Sequence, residues 1–276
     1  MKNLKIINHR QENQLFSAEK IYESCIRSGA SEKVANEIAN EIKNQAYPEI
    51  TTAEIAKLVK DLLAKKSKKS SIKFSLKEAM RKLGPNGFNF EKYIASVFLK
   101  NNYNVKINQV IPGFCIPFYE IDFLATKENF QYMGECKYHT HPGKRVDLKV
   151  ALYNNARFLD ISKKVIDRKV KIKSILVTNA KFTQRAIQYS ECSNVDLLGW
   201  RYPKNNGLEK LIEESNLYPI TILPSFKSIF KNVFAEKQIM LVKDLLETSS
   251  KQISEKTKIS IREINQLIEE ANILLN

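Results

Sequence analysis

Between residues 17 and 83 apolar positions recur at helical spacing. Ile21, Cys25 and Ile26 form one stripe, Val34, Ile38 and Ile42 a second, and Ile55, Leu58, Val59 and Leu62 a third. The spacing predicts a small helical domain. Ser17 and Ser31 each precede a helix with a Glu close behind, and Thr51-Thr52 precedes Glu54, so all three positions read as N-caps. Residues 4 to 15 are compatible with a short hairpin in front. From Asp61 to Glu78 no acidic residue intervenes, while Lys65, Lys66, Lys68, Lys69 and Lys73 crowd a Ser-containing stretch. Such a run is a solvated helix end or linker, and less often a phosphate-binding surface.

Gly84-Pro85-Asn86-Gly87 ends this pattern, because Gly and Pro together stop a helix and reset the chain. Beyond it the period alternates between 3.6 and 2. A helix is expected at Phe88 to Asn101, strands at Val105 to Val110, Tyr119 to Thr126 and Phe130 to Tyr138, and a long helix at Val146 to Ile166. A strand at Ile172 to Thr178, a helix at Thr183 to Cys192 and a short strand at Val195 to Leu198 follow. Antiparallel strands followed by helical crossovers indicate a mixed sheet flanked by helices. From Asn205 the strand signal disappears. The last helix, from about Ser260, carries Ile261, Ile264, Leu267, Ile268, Ala271 and Leu274 as its apolar stripe. The expectation is an α+β chain of three parts: a small helical domain (1–83), a mixed-sheet domain (84–204) and a helical C-terminal region (205–276).

The 276 residues suffice for two or three cores. Charge adds a partner: 45 Lys and Arg against 30 Asp and Glu leave +15, which attracts polyanions, nucleic acid first among them. Lys-rich surface alone accounts for the same excess. No apolar run reaches the roughly 20 residues that cross a bilayer, and Met1 to Arg10 lack the apolar core of a secretion signal, so no membrane association and a cytoplasmic location are expected. Cys25, Cys115, Cys136 and Cys192 are scattered, with no Cys-x-x-Cys pair, and read as reduced and mostly buried.

Chemistry is concentrated on two predicted strands. Glu120 and Asp122 share one face of the first, Glu135 and Lys137 one face of the second. Setting these charges among Ile121, Phe123, Leu124, Met133 and Cys136 costs several kcal/mol unless they are paired or bind a cation. One or two carboxylates suit Mg²⁺ (or Mn²⁺), which keeps waters and takes further ligands from phosphate. Lys137 projects to the same place and can polarise a water or neutralise phosphate charge. Glu91 borders the buried stripe Phe90, Ile94, Val97 and Phe98 of its helix, three residues before Ile94, and is positioned to join. Acid-x-Lys also occurs at Glu41, Asp147 and Asp167, but only Glu135-Cys136-Lys137 lies on an apolar strand. Glu120 reads equally as a further ligand or a surface residue.

The order helix-Glu91, strand-Asp122, strand-Glu135-x-Lys137, helix, strand resembles the PD-(D/E)XK nuclease superfamily, in its branch of Mrr-type restriction endonucleases. Leu83-Gly84-Pro85 through Phe90-Glu91, Ala151-Leu152-Tyr153 through Ala156-Arg157-Phe158, and Thr178 to Thr183 with Ala186 and Tyr189 are similar to that branch over roughly residues 84 to 200. The resemblance implies a restriction-endonuclease-like fold, with Asp122, Glu135 and Glu91 as metal ligands and Lys137 assisting water. Ile121 stands where Pro is common before the Asp. His139, Lys149, Tyr153 and Arg157 are candidate DNA contacts, each with a solvated or salt-bridged alternative.

Residues 1 to 83 resemble the ATP-cone, on Phe16 to Ile21, Ala30-Ser31, Ile50 to Ile55 and Val59. That resemblance implies contacts from Lys20 and Thr52 to ATP or another nucleotide. Where the family has Lys-Arg-Asp-Gly in its hairpin, this chain has Asn8-His9-Arg10-Gln11, without the turn Gly and most of the phosphate-facing charge. The last helices loosely resemble a helix-hairpin-helix, although Thr257-Lys258-Ile259-Ser260 lacks its Gly. Together these features imply a Mg²⁺-dependent DNA endonuclease gated by nucleotide, acting as a homodimer or higher oligomer in restriction or repair. The alternative is a nucleic-acid-binding regulator that senses nucleotide and does not cut.

Overall fold

A computed structural model describes residues 4–9, 11–84, 88–164 and 170–276, without the Phe88 side chain. Arg10 of the predicted hairpin, the boundary residues 85–87 and the end of the long helix beyond Lys164 lie outside the described residues. The chain begins with a hairpin, β1 (Lys5–Ile7) and β2 (Asn13–Leu15), followed by α1 (Ala18–Arg27), α2 (Glu32–Gln45) and α3 (Thr52–Lys66). All three predicted caps form: Ser17, Ser31 and Thr51 accept from the amides of Lys20, Val34 and Glu54, and Glu54 closes a capping box on Thr51. Their buried stripes, with Ile6 and Ile50, make one core.

Two short helices, α4 (Lys68–Phe74) and α5 (Leu76–Arg81), lead out of this unit, and their apolar residues Ile72, Leu76, Ala79 and Met80 enter a second core. That core covers one face of a five-stranded sheet, on which α6 (Phe88–Lys100) packs. The strands are β3 (Asn104–Ile111), β4 (Tyr119–Lys127), β5 (Phe130–Lys137), and, beyond β6 (Arg145–Val146) and α7 (Leu148–Ser162), β7 (Lys171–Thr178). After β8 (Lys181–Phe182) and α8 (Gln184–Cys192), β9 (Asp196–Leu198) completes the order β3-β4-β5-β7-β9. β3, β4 and β5 are antiparallel, whereas β5, β7 and β9 run parallel, joined by crossovers that contain α7 and α8. The expected mixed sheet is therefore present. β6 and β8, two residues each, pair in parallel outside it and were not foreseen.

The C-terminal helices α9 (Leu208–Glu214), α10 (Lys231–Glu236), α11 (Val242–Leu246), α12 (Ser250–Thr257) and α13 (Ile261–Leu275) share the second core. Tyr93 of α6 donates to the Leu217 carbonyl at 2.8 Å and Thr221 to that of Ala79 at 2.8 Å. Energetically, residues 205–276 thus continue the sheet domain. Lys258 ends α12 at φ 61°, taking the left-handed position that Gly usually fills. On α13 the predicted stripe is buried except for Ile261, which is half exposed, and Ile268, which lies at its edge. Of the cysteines, Cys25 and Cys136 are buried while Cys115 and Cys192 are exposed; all are free.

Gly134 of β5 sits opposite Phe123, whose ring is fully buried, and a Cβ there would come within 2.1 Å of that ring. Gly134→Ala is expected to force the ring off its site and cost about 1 to 3 kcal/mol. Urea unfolding measures this, and a loss below about 0.5 kcal/mol would show that the ring is not held.

Candidate active site

β4 and β5 pair from Lys127↔Phe130 as far as Phe123↔Gly134 and then part. In the gap the Asp122 carboxylate takes the Cys136 amide, N to Oδ2 2.6 Å, so the side chain substitutes for a ladder bond. On the other side of β4 the register passes from Ile107↔Phe123 to Gln109↔Ile121, leaving Asn108 opposite Asp122 at φ 51°. Asn tolerates this left-handed conformation better than most residues, and the irregularity re-aims the backbone beside the Asp.

Glu135 follows Gly134 and is buried at 5% exposure. Its two oxygens have separate partners: Lys137 Nζ at 2.8 Å from Oε1 and the Arg157 guanidinium on Oε2. The first contact shows Glu135 and Lys137 on one face of the strand, as alternation requires. The second corrects the expected role of Arg157. It is 9% exposed, and its other donor goes to the Glu120 carbonyl at 3.0 Å, so the guanidinium is held inside the fold, where it offsets the charge of Glu135. Glu120 itself is exposed.

Glu91, on α6, adds its charge to the same region. Burial first, then repulsion from Asp122 and Glu135, raises its pKa to about 7. Burial and Glu135 push Asp122 up to about 6, against the opposing Cys136 amide, Arg157 and Lys137. Burial acts to lower the Lys137 pKa, but its hydrogen bond to Glu135 and the charges of Glu135 and Asp122 outweigh it and hold the ammonium above its ordinary value. The predicted quartet is therefore one electrostatic unit. Among the described residues no three of His, Cys, Asp or Glu converge closely enough to hold a metal ion. A cation at this site would draw on two strand carboxylates plus solvent and substrate oxygens.

The loop after Lys137 is fixed from both sides. Tyr138 donates to the Arg81 carbonyl at 2.5 Å, while the Asn179 amide takes the His139 N–H and donates to the His139 carbonyl, at 2.9 and 2.8 Å. His139 is half-buried, its pKa lowered by burial, Lys144 and Lys137. Lys149 and Tyr153 are exposed on α7, with the Tyr153 ring 5.5 Å from the Arg157 guanidinium. Asn179 and Asn108 shape the site without having been candidate residues in the sequence, and Arg157, a candidate DNA contact there, turns inward to Glu135 instead. A signal did exist for Arg157, which lies between Asn154 and Ile161 on the inner face of α7, where Arg is rare without an acid partner.

In the N-terminal unit Lys20 and Thr52 line one cavity of about 200 Å³, walled by Ile6, Ile21, Ile55 and Val59. The sequence-predicted nucleotide residues thus come together.

Comparison with known proteins bears on both units. The ATP cone domain matches over residues 4–82, and a region described as AF1548-like, C-terminal, over residues 218–275. An uncharacterised protein of Archaeoglobus fulgidus is 32% identical over 178 residues, which are 64% of this chain and 97% of that relative. The crystal structure of AF1548, a protein of unknown function, aligns with a TM-score of 0.59 at 30% identity, covering 68% of this chain and 97% of that one. The N-terminal unit is an ATP cone, placed ahead of a mixed-sheet domain with a helical C-terminal region. The chain belongs to the AF1548-like family.

Among the described residues no helix is long and apolar enough to cross a membrane.

Proposed function

We propose that this protein is a metal-dependent deoxyribonuclease of the PD-(D/E)XK type, with its cutting governed by a nucleotide at the ATP cone. The observation that carries the reading is the electrostatic coupling of Glu91, Asp122, Glu135 and Lys137 around the split between β4 and β5, with two carboxyl pKa values raised. A purely structural ion network would be expected to compensate Glu91 and Asp122 more fully than Lys137, Arg157 and the Cys136 amide do, and functional sites are where such shifts cluster.

Asp122 and Glu135 are the residues that would hold Mg²⁺ or Mn²⁺, which fits because Mg²⁺ is commonly bound by one or two carboxylates and otherwise by water and phosphate oxygens. Bound there, the ion would supply Lewis-acid polarisation of the phosphate and lower the pKa of water. Lys137, steered by Glu135, neutralises charge building on the phosphate oxygens. Glu91, with a pKa near 7, can exchange a proton at neutral pH. In hydrolysis a water oxygen bonds to phosphorus and gives up a proton, the bond to the leaving ester oxygen breaks, and that oxygen takes up a proton. Arg157 keeps Glu135 in place. Lys149 and Tyr153 lie on the exposed face of α7, and a homodimer would offer one such site to each strand. Lys20 and Thr52 provide the nucleotide contacts in the cone's cavity.

Incubating plasmid and branched DNA with Mg²⁺ or Mn²⁺ tests this reading. Asp122→Ala and Lys137→Ala are each expected to slow cutting by about 100-fold or more, roughly 2.7 kcal/mol of barrier. Cutting unaffected by both changes would refute the site. Tight DNA binding without cutting under any metal or nucleotide would instead identify a regulator.

A further inference from the structure

A second polar cavity, of about 230 Å³, lies where the cone meets the loop that follows Lys137. The hairpin contributes Asn8, His9 and Glu12, α5 contributes Lys77 and Arg81, the β5–β6 loop contributes His139, His141 and Lys144, and β6 and β8 contribute Arg145 and Lys181. Two like-charge juxtapositions face this space. Arg145 and Lys181 are direct register partners on β6 and β8, and Lys77 and Arg81 are one turn apart on α5. Each arrangement is unfavourable on its own, since like charges opposite on strands or four apart on a helix repel. Glu12 is the one carboxylate among the described lining residues, and it is engaged by the Asn8 amide at 3.0 Å. Lys77, Arg81, Lys144, Arg145 and Lys181 form no salt bridge with any described residue.

Local electrostatics agree. Lys77 is exposed as a residue, but its ammonium lies over the Trp200 ring at 5.7 Å, and desolvation, then Lys181, Arg201 and Arg81, lowers its pKa to about 8. Five cations facing one carboxylate leave a net positive cavity, which is a receptor for an anion. The backbone fixes its place: Tyr138, the residue after Lys137, bonds to the Arg81 carbonyl, and Asn179 clamps His139.

We propose that this cavity holds a backbone phosphate of the nucleic-acid strand lying across the candidate active site, so that the hairpin of the cone is part of the strand-binding surface. The proposal rests on the nuclease reading for the direction of the strand, not for the anion. A phosphodiester is favoured over a nucleotide's phosphates because the residues expected to hold nucleotide, Lys20 and Thr52, line the separate cavity inside the cone. Asn8 and His9 of the hairpin, in a stretch whose sequence departs from the nucleotide-binding pattern, then serve another phosphate.

Binding of a short labelled DNA duplex to the full chain, followed by fluorescence anisotropy across a salt series without added Mg²⁺, tests this. The double variant Lys144→Ala/Lys181→Ala, both exposed positions, is expected to lower affinity roughly tenfold and the log–log salt slope by about 1, as for one phosphate. His9→Ala is expected to weaken binding by about twofold. Lys251→Ala/Lys256→Ala on α12 removes the same charge elsewhere and is expected to leave the slope unchanged. An unchanged slope in the cavity variant, or an equal fall in the α12 variant, overturns the proposal. So does a loss of ATP binding with DNA binding intact, which would assign the anion to a nucleotide. If the cavity variants lose DNA while wild type cuts nothing with any metal, the phosphate site stands and the nuclease reading falls. If cutting depends on Asp122 and Lys137 while the cavity variants bind normally, the outcome is reversed.

Discussion

Arg157→Ala is expected to cost about 3 to 5 kcal/mol of folding stability, the largest loss from any single surface-to-core truncation at this site. Removing the guanidinium leaves Glu135, 5% exposed, with Lys137 as its remaining ion-pair partner, and leaves the Glu120 carbonyl without its donor. Breaking a buried pair costs more than the pair contributes, because the surviving charge stays desolvated. A double-mutant cycle separates the two. Arg157→Met with Glu135→Gln removes both charges and is expected to recover at least half of the single-variant loss. Chemical denaturation of the four proteins gives the coupling energy. A cost below about 1 kcal/mol for Arg157→Ala would mean that water reaches Glu135 and that the pair is effectively a surface contact.

This role for Arg157 marks where sequence legibility ends. Alternation along β4 and β5 is a local property of the chain, and it placed Asp122, Glu135 and Lys137 together because adjacent strands joined by a tight connection have little freedom of register. The N-caps Ser17, Ser31 and Thr51 were readable for the same reason, since a cap needs only its own first turn. Arg157 lies 22 residues from Glu135 and meets it only because α7 crosses back over the sheet. Helical periodicity marks a face of α7 as inward but does not say whether an Arg on that face is exposed or paired. β6 and β8 were invisible because two-residue strands carry no period, yet they create the Arg145–Lys181 pairing. The C-terminal helices read as a separate region because their amphipathic stripes do not name the surface they cover; in the fold, that surface belongs to α6 and to the turns around Leu217 and Thr221.

The two carboxylates with raised pKa values yield the other large effect, with a sign opposite to that of Arg157. A carboxyl whose folded pKa lies above its unfolded value favours the folded state only when protonated. That contribution is complete below the unfolded value, 3.8 for Asp122 and 4.5 for Glu91, and is lost as pH rises through about 6 and about 7, respectively. Metal-free wild type is therefore expected to lose stability between pH 4 and pH 8. Asp122→Asn and Glu91→Gln, which cannot ionise, are each expected to be about 1 to 2 kcal/mol more stable than wild type at pH 8, with both groups half-buried and partly screened. At pH 4 the advantage should vanish. Asn at 122 can still accept the Cys136 amide, so the fold keeps that anchor. Adding Mg²⁺ should reverse the order at pH 8. An ion bound at 100 times its dissociation constant would stabilise wild type by about 2.7 kcal/mol and the Asn variant by less. Thermal melts over this pH range, with and without Mg²⁺, read all of these effects. Equal melting temperatures for wild type and both variants at pH 8 would show that the carboxylates are solvated and that the strand split is not a cation site. The stability lost in the metal-free protein is thus a direct measure of how strongly Asp122 and Glu91 call for a positive charge between β4 and β5.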